Sequence, residues 1–444
     1  MTWPARFRIA VAKRSVQLAA LAAVVGAPAA AQETAEAIFR DARSYTVRIR
    51  TQITTPFVED ERGSFSGAGF LVDSTRGWVL TNAHVVGQSP SDVTIAFAGG
   101  TFRPARKIYV DSFTDVAILE VPADERRHPV APIDCNDGPE VGEGVGAFGH
   151  PLGMPFTGTR GIVSGKTDQL LTDLLQIDAT VDHGNSGGPV IALRDGRIVG
   201  IATAGAEGSK SDRLNFATPM KDVCRILELL RSGVPPEPPE LELSFLVDED
   251  ERHTLQVGTS YNTARWPFQP GDRIVSVGSN QESVTTVTQF VTALRGRSGA
   301  VPIRVIRAGR QRDVLARPSR RPSVVGRRGV SVDGALIAPI MFEDSRALGE
   351  SARLVVHSVE PGSAAEGLDM SAMDVIESID GHRFDELDSL LEYLHQHRVG
   401  ASLHVVFRRM SPGLKRWFEL HVRDLPGKET RVIGPHTQLL TSTP

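Results

Sequence analysis

Cysteine is nearly absent from these 444 residues: only Cys135 and Cys224 occur. A chain of this size builds its core without such staples. Export would permit a disulfide, but nothing in the sequence brings two such distant positions together, so two unpaired cysteines are favoured. An excess of one charge is also missing. Lysine and arginine number 49 against 53 acids, for a formal net charge of −4. No basic field points to nucleic acid. Beyond the N-terminus no apolar run is long enough to span a bilayer. What remains is 41% apolar and 23% charged, the balance of a soluble globular chain. Its length suggests roughly three domains at about 150 residues each.

The N-terminus stands apart. Arg6, Arg8, Lys13 and Arg14 precede an apolar run from Val16 to Val25, and Ala29-Ala30-Ala31 precedes Gln32. This order of cations, short apolar stretch and small residues predicts a secretory signal over residues 1–31, cleaved on export; an uncleaved anchor is the alternative. A proline-rich stretch, Ser232–Pro239, and an arginine-rich one with prolines, Arg317–Arg328, read as linkers, the first extended and the second solvated. The tail over residues 425–444 reads as flexible. Between these cuts lie three bodies.

Residues 33–231 hold short Val/Ile/Thr/Phe runs bounded by glycine, predicting an all-β barrel or sandwich. They close on a helix in which Val223, Ile226, Leu227 and Leu230 recur at helical spacing. Residues 241–316 and 329–424 resemble each other. Each has a turn, a buried β run, an amphipathic helix and closing β runs, which reads as a duplicated module.

The chemistry lies in the first body. Gly184-Asn185-Ser186-Gly187-Gly188-Pro189 places a serine among glycines. Glycine tolerates the tight backbone that aims N–H groups at a developing oxyanion. Upstream, Thr81-Asn82-Ala83-His84 ends an apolar strand and Asp115 opens another. Alone, each is ordinary: a turn, a structural histidine, an acid at a strand start. Together they give a nucleophile, Ser186, a general base, His84, and an orienting carboxylate, Asp115. Gly184 and Ser186 supply the oxyanion hole. The order His, Asp, Ser is that of chymotrypsin-type enzymes and differs from the subtilisin and α/β-hydrolase orders. The Gly200–Ala204 segment, with Ile201, Ala202 and Thr203, is the expected wall of a modest apolar substrate pocket, and Gly205–Arg213 the mobile loop beside it.

In these motifs, together with Gly67-Ala68-Gly69-Phe70, Gly149-His150-Pro151-Leu152-Gly153 and Gly161-Ile162-Val163-Ser164, residues 33–231 resemble the protease domain of the HtrA/Deg family. The two following bodies resemble PDZ domains, the first divergent. The resemblance implies a mainly β chain, a chymotrypsin-like double β-barrel followed by two α+β PDZ domains. It implies an exported, periplasmic serine endopeptidase that cuts unfolded or misfolded proteins, needs no cofactor or metal, and is gated by its PDZ domains. A PDZ-based binding protein or holdase with a resting protease site is the alternative.

It further implies a homotrimer, with Phe39 and Tyr45 as contact candidates or as ordinary burial in the first barrel. C-terminal peptides are expected as PDZ ligands. They would bind by strand addition at Gly334, Ala335 and Leu336, with Leu387 or Leu391 lining the groove. The first PDZ, acidic at Asp248–Glu251, reads as a spacer or regulatory module. His183 departs from the family's usual residue before Gly184 and reads as an exposed loop histidine. The Gln52–Gly63 segment is short, so the hexamer-locking loop of some relatives is not expected. His395 and His397 lie two apart on a helix, face apart, and make no metal site.

Overall fold

The computed structural model describes residues 27–154, 156–167, 172–203, 215–246, 254–341, 354–396, 400–410, 418–435 and 438–439. Most of the expected signal, the Gly205–Arg213 loop, the Asp248–Glu251 run and His397 lie outside the described residues. Among the described residues no helix is long and apolar enough to cross a membrane.

Helix α1 (Ala27–Tyr45) leads into a closed barrel of β1 (Thr46–Ile53), β2 (Gly63–Asp73), β3 (Trp78–Thr81), β4 (Asp92–Phe97), β5 (Arg103–Asp111) and β6 (Val116–Glu120). Between β3 and β4 sits the one-turn helix α2 (Ala83–Val86). A second closed barrel follows: β7 (Gly144–Gly149), β8 (Thr157–Thr167), β9 (Leu174–Ile177), β10 (Pro189–Ala192), β11 (Ile198–Thr203) and β12 (Asn215–Pro219). Helix α3 (Met220–Arg231) closes it. A bulge in β11, opposite Val190 and Ile191, breaks the two-residue alternation of the strand and sets its packing. In β11 Ala202 fills the second barrel with Val199, whereas Ile198 and Ile201 face a core shared by both barrels. Phe70 and Leu80 enter that shared core from the first barrel, and Val223, Ile226 and Leu227 of α3 seal it.

One expectation is narrowed and one corrected here. Of the two contact candidates, Tyr45 is buried while Phe39 keeps part of its surface exposed. Tyr45 belongs to the shared core and Phe39 packs against it, stacked on Phe148 at 5.8 Å. The cysteines are not unpaired. Cys135 and Cys224 form a disulfide, with Cα atoms 5.8 Å apart. The segment before Cys135 runs beside β11 through the Ile133–Ile198 bridge, and α3 docks on the same strand. Tertiary packing, not sequence distance, brings the thiols together.

Next comes a sheet in the order β13 (Leu243–Leu246), β14 (Leu255–Ser260), β15 (Arg273–Val277), β17 (Val301–Arg307), β18 (Arg310–Ala316). Hairpin strand β16 (Glu282–Ser283) lies off β15, and helix α4 (Val287–Leu294) precedes β17. The last sheet uses β19 (Gly329–Val332), β20 (Ala335–Pro339), β21 (Leu354–Val359), β22 (Val375–Ile379), β23 (Leu403–Met410), β24 (Phe418–Leu425), β25 (Thr430–Ile433) and β26 (Gln438–Leu439). Its order is β24-β23-β22-β21-β20-β19-β25-β26, with α5 (Ala364–Gly367) and α6 (Leu387–Gln396) alongside. The path β14-β15-β17-β18 matches β21-β22-β23-β24, each with its helix between the second and third strands.

The two linker stretches are not free chains. Glu240 N–H donates to Ser319 O at 2.8 Å and Arg321 N–H to Pro238 O at 3.0 Å, so the two run together as a strap. The second is not solvated throughout. Arg327 is 7% exposed, pairs with Glu59 at 2.9 Å and lies 4.2 Å over the Phe57 ring. The tail is likewise not loose over its whole length: Thr430–Ile433 is a paired strand.

The disulfide spans 89 residues. A loop of that size is worth about 4–5 kcal/mol in the chain-entropy account. Reduction, or joint Cys135→Ser and Cys224→Ser substitution, is expected to lower the urea midpoint accordingly. A midpoint unchanged by reductant would contradict the pairing.

Candidate active site

Asn82 stands at the N-cap position of α2 without a side-chain capping bond, and the helix lifts His84 out of the first barrel with about half its side chain exposed. Asp115 opens β6 in a left-handed conformation, φ 52°, which aspartate tolerates better than most residues. That turn directs its carboxylate back at α2. Oδ1 accepts the His84 backbone N–H at 3.0 Å, and Oδ2 lies 2.8 Å from His84 Nδ1. Burial pushes the imidazole pKa down, but the hydrogen bond and charge of Asp115 outweigh it, and the ring is raised above 6.5. With Nδ1–H donated to Asp115, Nε2 is left as an acceptor.

Ser186 comes from the second barrel, on the turn before β10. Its carbonyl accepts the Ala68 N–H of β2 at 2.8 Å. A Cβ on Gly187 would sit 2.2 Å from both Ala68 O and Thr81 Oγ1. The serine turn is thus pressed against the strands that lead to His84. Among the described residues no hydrogen bond joins Ser186 to His84; such contacts often tighten only when substrate binds.

The surrounding N–H groups divide sharply. Those of Asn185, Gly187 and Gly188 are satisfied by Asp182, Ala202 and Asn185 carbonyls, each at 2.9 Å. Those of Gly184 and Ser186 have no acceptor among the described residues. Two free donors flanking a serine are what an incoming oxyanion requires. Gly184 is held at φ 101°, and a Cβ there would lie 2.2 Å from His150 O. His150 itself is buried, which lowers its pKa to about 4, and its Nδ1 accepts the Phe156 N–H at 3.0 Å. A neutral histidine therefore props the loop. His183 is exposed, as expected.

The pocket expectation needs correction. Ile201 and Ala202 have no exposed surface and face the two cores, so their side chains line no pocket. Thr203 has another partner: its Oγ1 donates to Asp115 Oδ2 at 3.3 Å. Asn82, missed in the sequence, donates Nδ2–H to the Asp115 carbonyl at 2.8 Å. So was Asp111, whose carboxylate accepts the Phe113 N–H at 2.9 Å and the Thr114 hydroxyl at 2.8 Å. The Asp-Ser-Phe-Thr run is a legible side-chain turn motif that could have revealed it.

The peptide-binding expectation fails as placed. Strand β20 pairs with β19 on one edge and β21 on the other, so Ala335 and Leu336 offer no edge for a further strand. Leu336 is instead buried with Phe57, Ala338 and Ile433. Gly334, at φ 96°, is the tight turn into β20, with Ser363 packed against it. Leu387 is buried in the module core, and Leu391 packs partly against it.

The family described as trypsin-like peptidase domain matches residues 67–201. The chain is 27% identical over 350 residues to a protein of Chlamydia pneumoniae named probable periplasmic serine endoprotease DegP-like, covering 73% of this chain and 70% of that one. It is 34% identical over 212 residues to the serine protease Do-like HtrA of Bacillus subtilis, covering 45% and 46% of the two chains. In fold it is similar to HtrA-type protease AlgW with tripeptide, at a TM-score of 0.52 and 23% identity, over 64% of this chain and 97% of that one.

Titration of His84 by NMR should give a pKa above the ordinary 6.5, because Asp115 favours the protonated ring. Asp115→Asn is expected to move it down. An unmoved value would mean that the carboxylate does not control the ring.

Proposed function

The chain belongs to the HtrA/Deg family of serine proteases, and from that premise we propose that Ser186, His84 and Asp115 carry out its peptide hydrolysis. The observation that carries this reading is the 2.8 Å contact of Asp115 with His84 Nδ1 beside a serine flanked by two unspent N–H donors. Ser186 Oγ attacks the substrate carbonyl while His84 Nε2 takes its proton. The carbonyl oxygen becomes an oxyanion held by the N–H groups of Gly184 and Ser186. Collapse expels the amine, which receives the proton from His84, and leaves an acyl-enzyme. A water deprotonated by His84 then hydrolyses the ester. Asp115 keeps the ring in the correct tautomer throughout, with Thr203 and Asn82 steadying Asp115.

Unfolded or misfolded polypeptides are the proposed substrates, and the periplasm the proposed location. The export pattern at residues 1–31 and the word periplasmic in relatives' names support the location. Assembly as a homotrimer is proposed from the family resemblance, with the partly exposed Phe39 and not the buried Tyr45 as the contact candidate. The holdase alternative is not favoured, because the free donors at Gly184 and Ser186 fit a working rather than a resting loop.

The two C-terminal sheets are proposed as PDZ modules, with peptide recognition in the last one moved from β20 to β19. Beyond β20, the other edge of β19 is covered by β25, antiparallel, with Val330 opposite Val432. Asp333 delivers that segment: its carboxylate accepts the N–H groups of Gly427, Lys428 and Glu429 at 2.6 to 2.9 Å. The chain's own strand β25 occupies the edge that a peptide strand would use.

Ser186→Ala should abolish casein cleavage, and Asp115→Asn should lower kcat by about 10⁴, as loss of the correct tautomer does elsewhere. Equal cleavage by the wild-type and Ser186→Ala proteins would overturn the assignment. Deleting residues 430–444 should raise affinity for an extended peptide with an apolar C-terminus, read by fluorescence anisotropy. Unchanged affinity would mean that β25 guards no binding edge.

A further inference from the structure

Arg295 follows helix α4, outside both barrels, yet its side chain has no exposed surface. It reaches the end of β5 and pairs with Asp111, whose side chain is 1% exposed. Its Nη1 also donates to Tyr109 Oη at 3.0 Å and to Pro236 O, on the strap, at 2.6 Å. Two charges withdrawn from water at a contact between bodies are costly unless each satisfies the other. Burial pushes the Asp111 pKa up, but the Arg295 charge and then the Thr114 hydroxyl hold it below the usual range. Among the described residues Asp111 has no other cationic partner within ion-pair distance.

Asp111 is also the frame of the turn that ends at the catalytic acid. Its carboxylate accepts from Tyr109 Oη, from the Phe113 N–H and from the Thr114 hydroxyl. Thr114 O accepts the Thr218 hydroxyl of the second barrel at 3.4 Å. The next residue is Asp115, in its left-handed conformation. That conformation persists only where its surroundings over-determine it. Asn82 fixes its carbonyl, and the Asp111 turn fixes its approach.

We propose that Arg295 is a positioning residue for Asp115: the module of residues 241–316 supplies the cation that keeps the Asp111 turn closed and the acid aimed at His84. The proposal rests on the reading of His84, Asp115 and Ser186 as the triad. Without the guanidinium, Asp111 must take up a proton or turn toward water. Either course weakens the bonds to Phe113 and Thr114 and frees the turn that carries Asp115. The first C-terminal module is then part of the catalytic support, and any event that lifts α4 from the barrel turns the protease down.

The test uses the full chain, a short chromogenic peptide substrate and titration of active serines with a fluorophosphonate. Arg295→Met should lower kcat per titrated site by on the order of 100-fold, the scale of a small misplacement of catalytic groups. The acid limb of kcat/KM should move to lower pH, because His84 loses the carboxylate that raises it. Arg295→Met combined with Asp111→Asn should recover most of the rate, since the amide keeps an acceptor oxygen and carries no charge. If Arg295→Met does not fold, Arg295→Gln carries the same test, removing the charge while keeping an N–H donor. A lower melting temperature with unchanged kcat per site and an unmoved acid limb makes Arg295 merely structural and overturns the proposal. Ser186→Ala separates the two readings. If it is inactive while Arg295→Met is normal, only this proposal fails; if it stays active, the triad reading fails with it.

Discussion

The closeness of two backbones governs this molecule. The turn carrying Ser186 lies so tightly on β2 and β3 of the other barrel that Gly187 has no room for a single added carbon. Gly188 and Gly184 are equally confined, against Phe148 O and His150 O. Asp115 and His84 belong to one barrel and Ser186 to the other, so the geometry of the proposed triad depends on how the barrels abut. The shared core of Phe70, Leu80, Ile198, Ile201 and α3 holds that abutment. The Cys135–Cys224 bond fastens α3 to the segment between the barrels.

The bodies that follow are tied to the barrels by buried polar contacts beside the apolar cluster of Phe57, Leu336, Ala338 and Ile433. Arg295 with Asp111 makes one tie, Arg327 with Glu59 over Phe57 another. A third is His357. Burial and then the nearby Arg327 charge lower its pKa to about 3, and as a neutral ring it accepts the Val58 N–H at Nδ1. The loop between β1 and β2 is thereby pinned to β21, with Ser358 donating to Pro56 O at 2.6 Å. Such contacts are directional and lose much of their value once one partner moves. They suit joints with a defined closed state.

What could be read from the sequence was whatever is encoded within a few residues. The short Val/Ile/Thr/Phe runs gave the strands, Val223, Ile226 and Leu227 gave the buried face of α3, and the short motifs around His84, Asp115 and Ser186 gave the candidate triad. What escaped depends on distant segments meeting. The disulfide follows from α3 and the Ile133 segment lying on one strand. Thr203 reads as a pocket wall until the barrels pack and its hydroxyl meets Asp115. The strand at Ala335 and Leu336 looks like a recognition edge until both its neighbours are known. Arg295 looks like an ordinary helix-end cation, because nothing near it in sequence predicts burial against Asp111.

The pairing of β25 with β19 has a consequence in time. Residues 430–433 are made after β19 and after every other strand of that sheet except β26, and emerge in the same order. Until they arrive, β19 is an open edge with unpaired N–H and C=O groups, while the barrels and most of the last module are already available to fold. Every newly made copy therefore passes through an interval in which another extended chain competes for that edge. Order of emergence, as well as affinity, then decides what sits there.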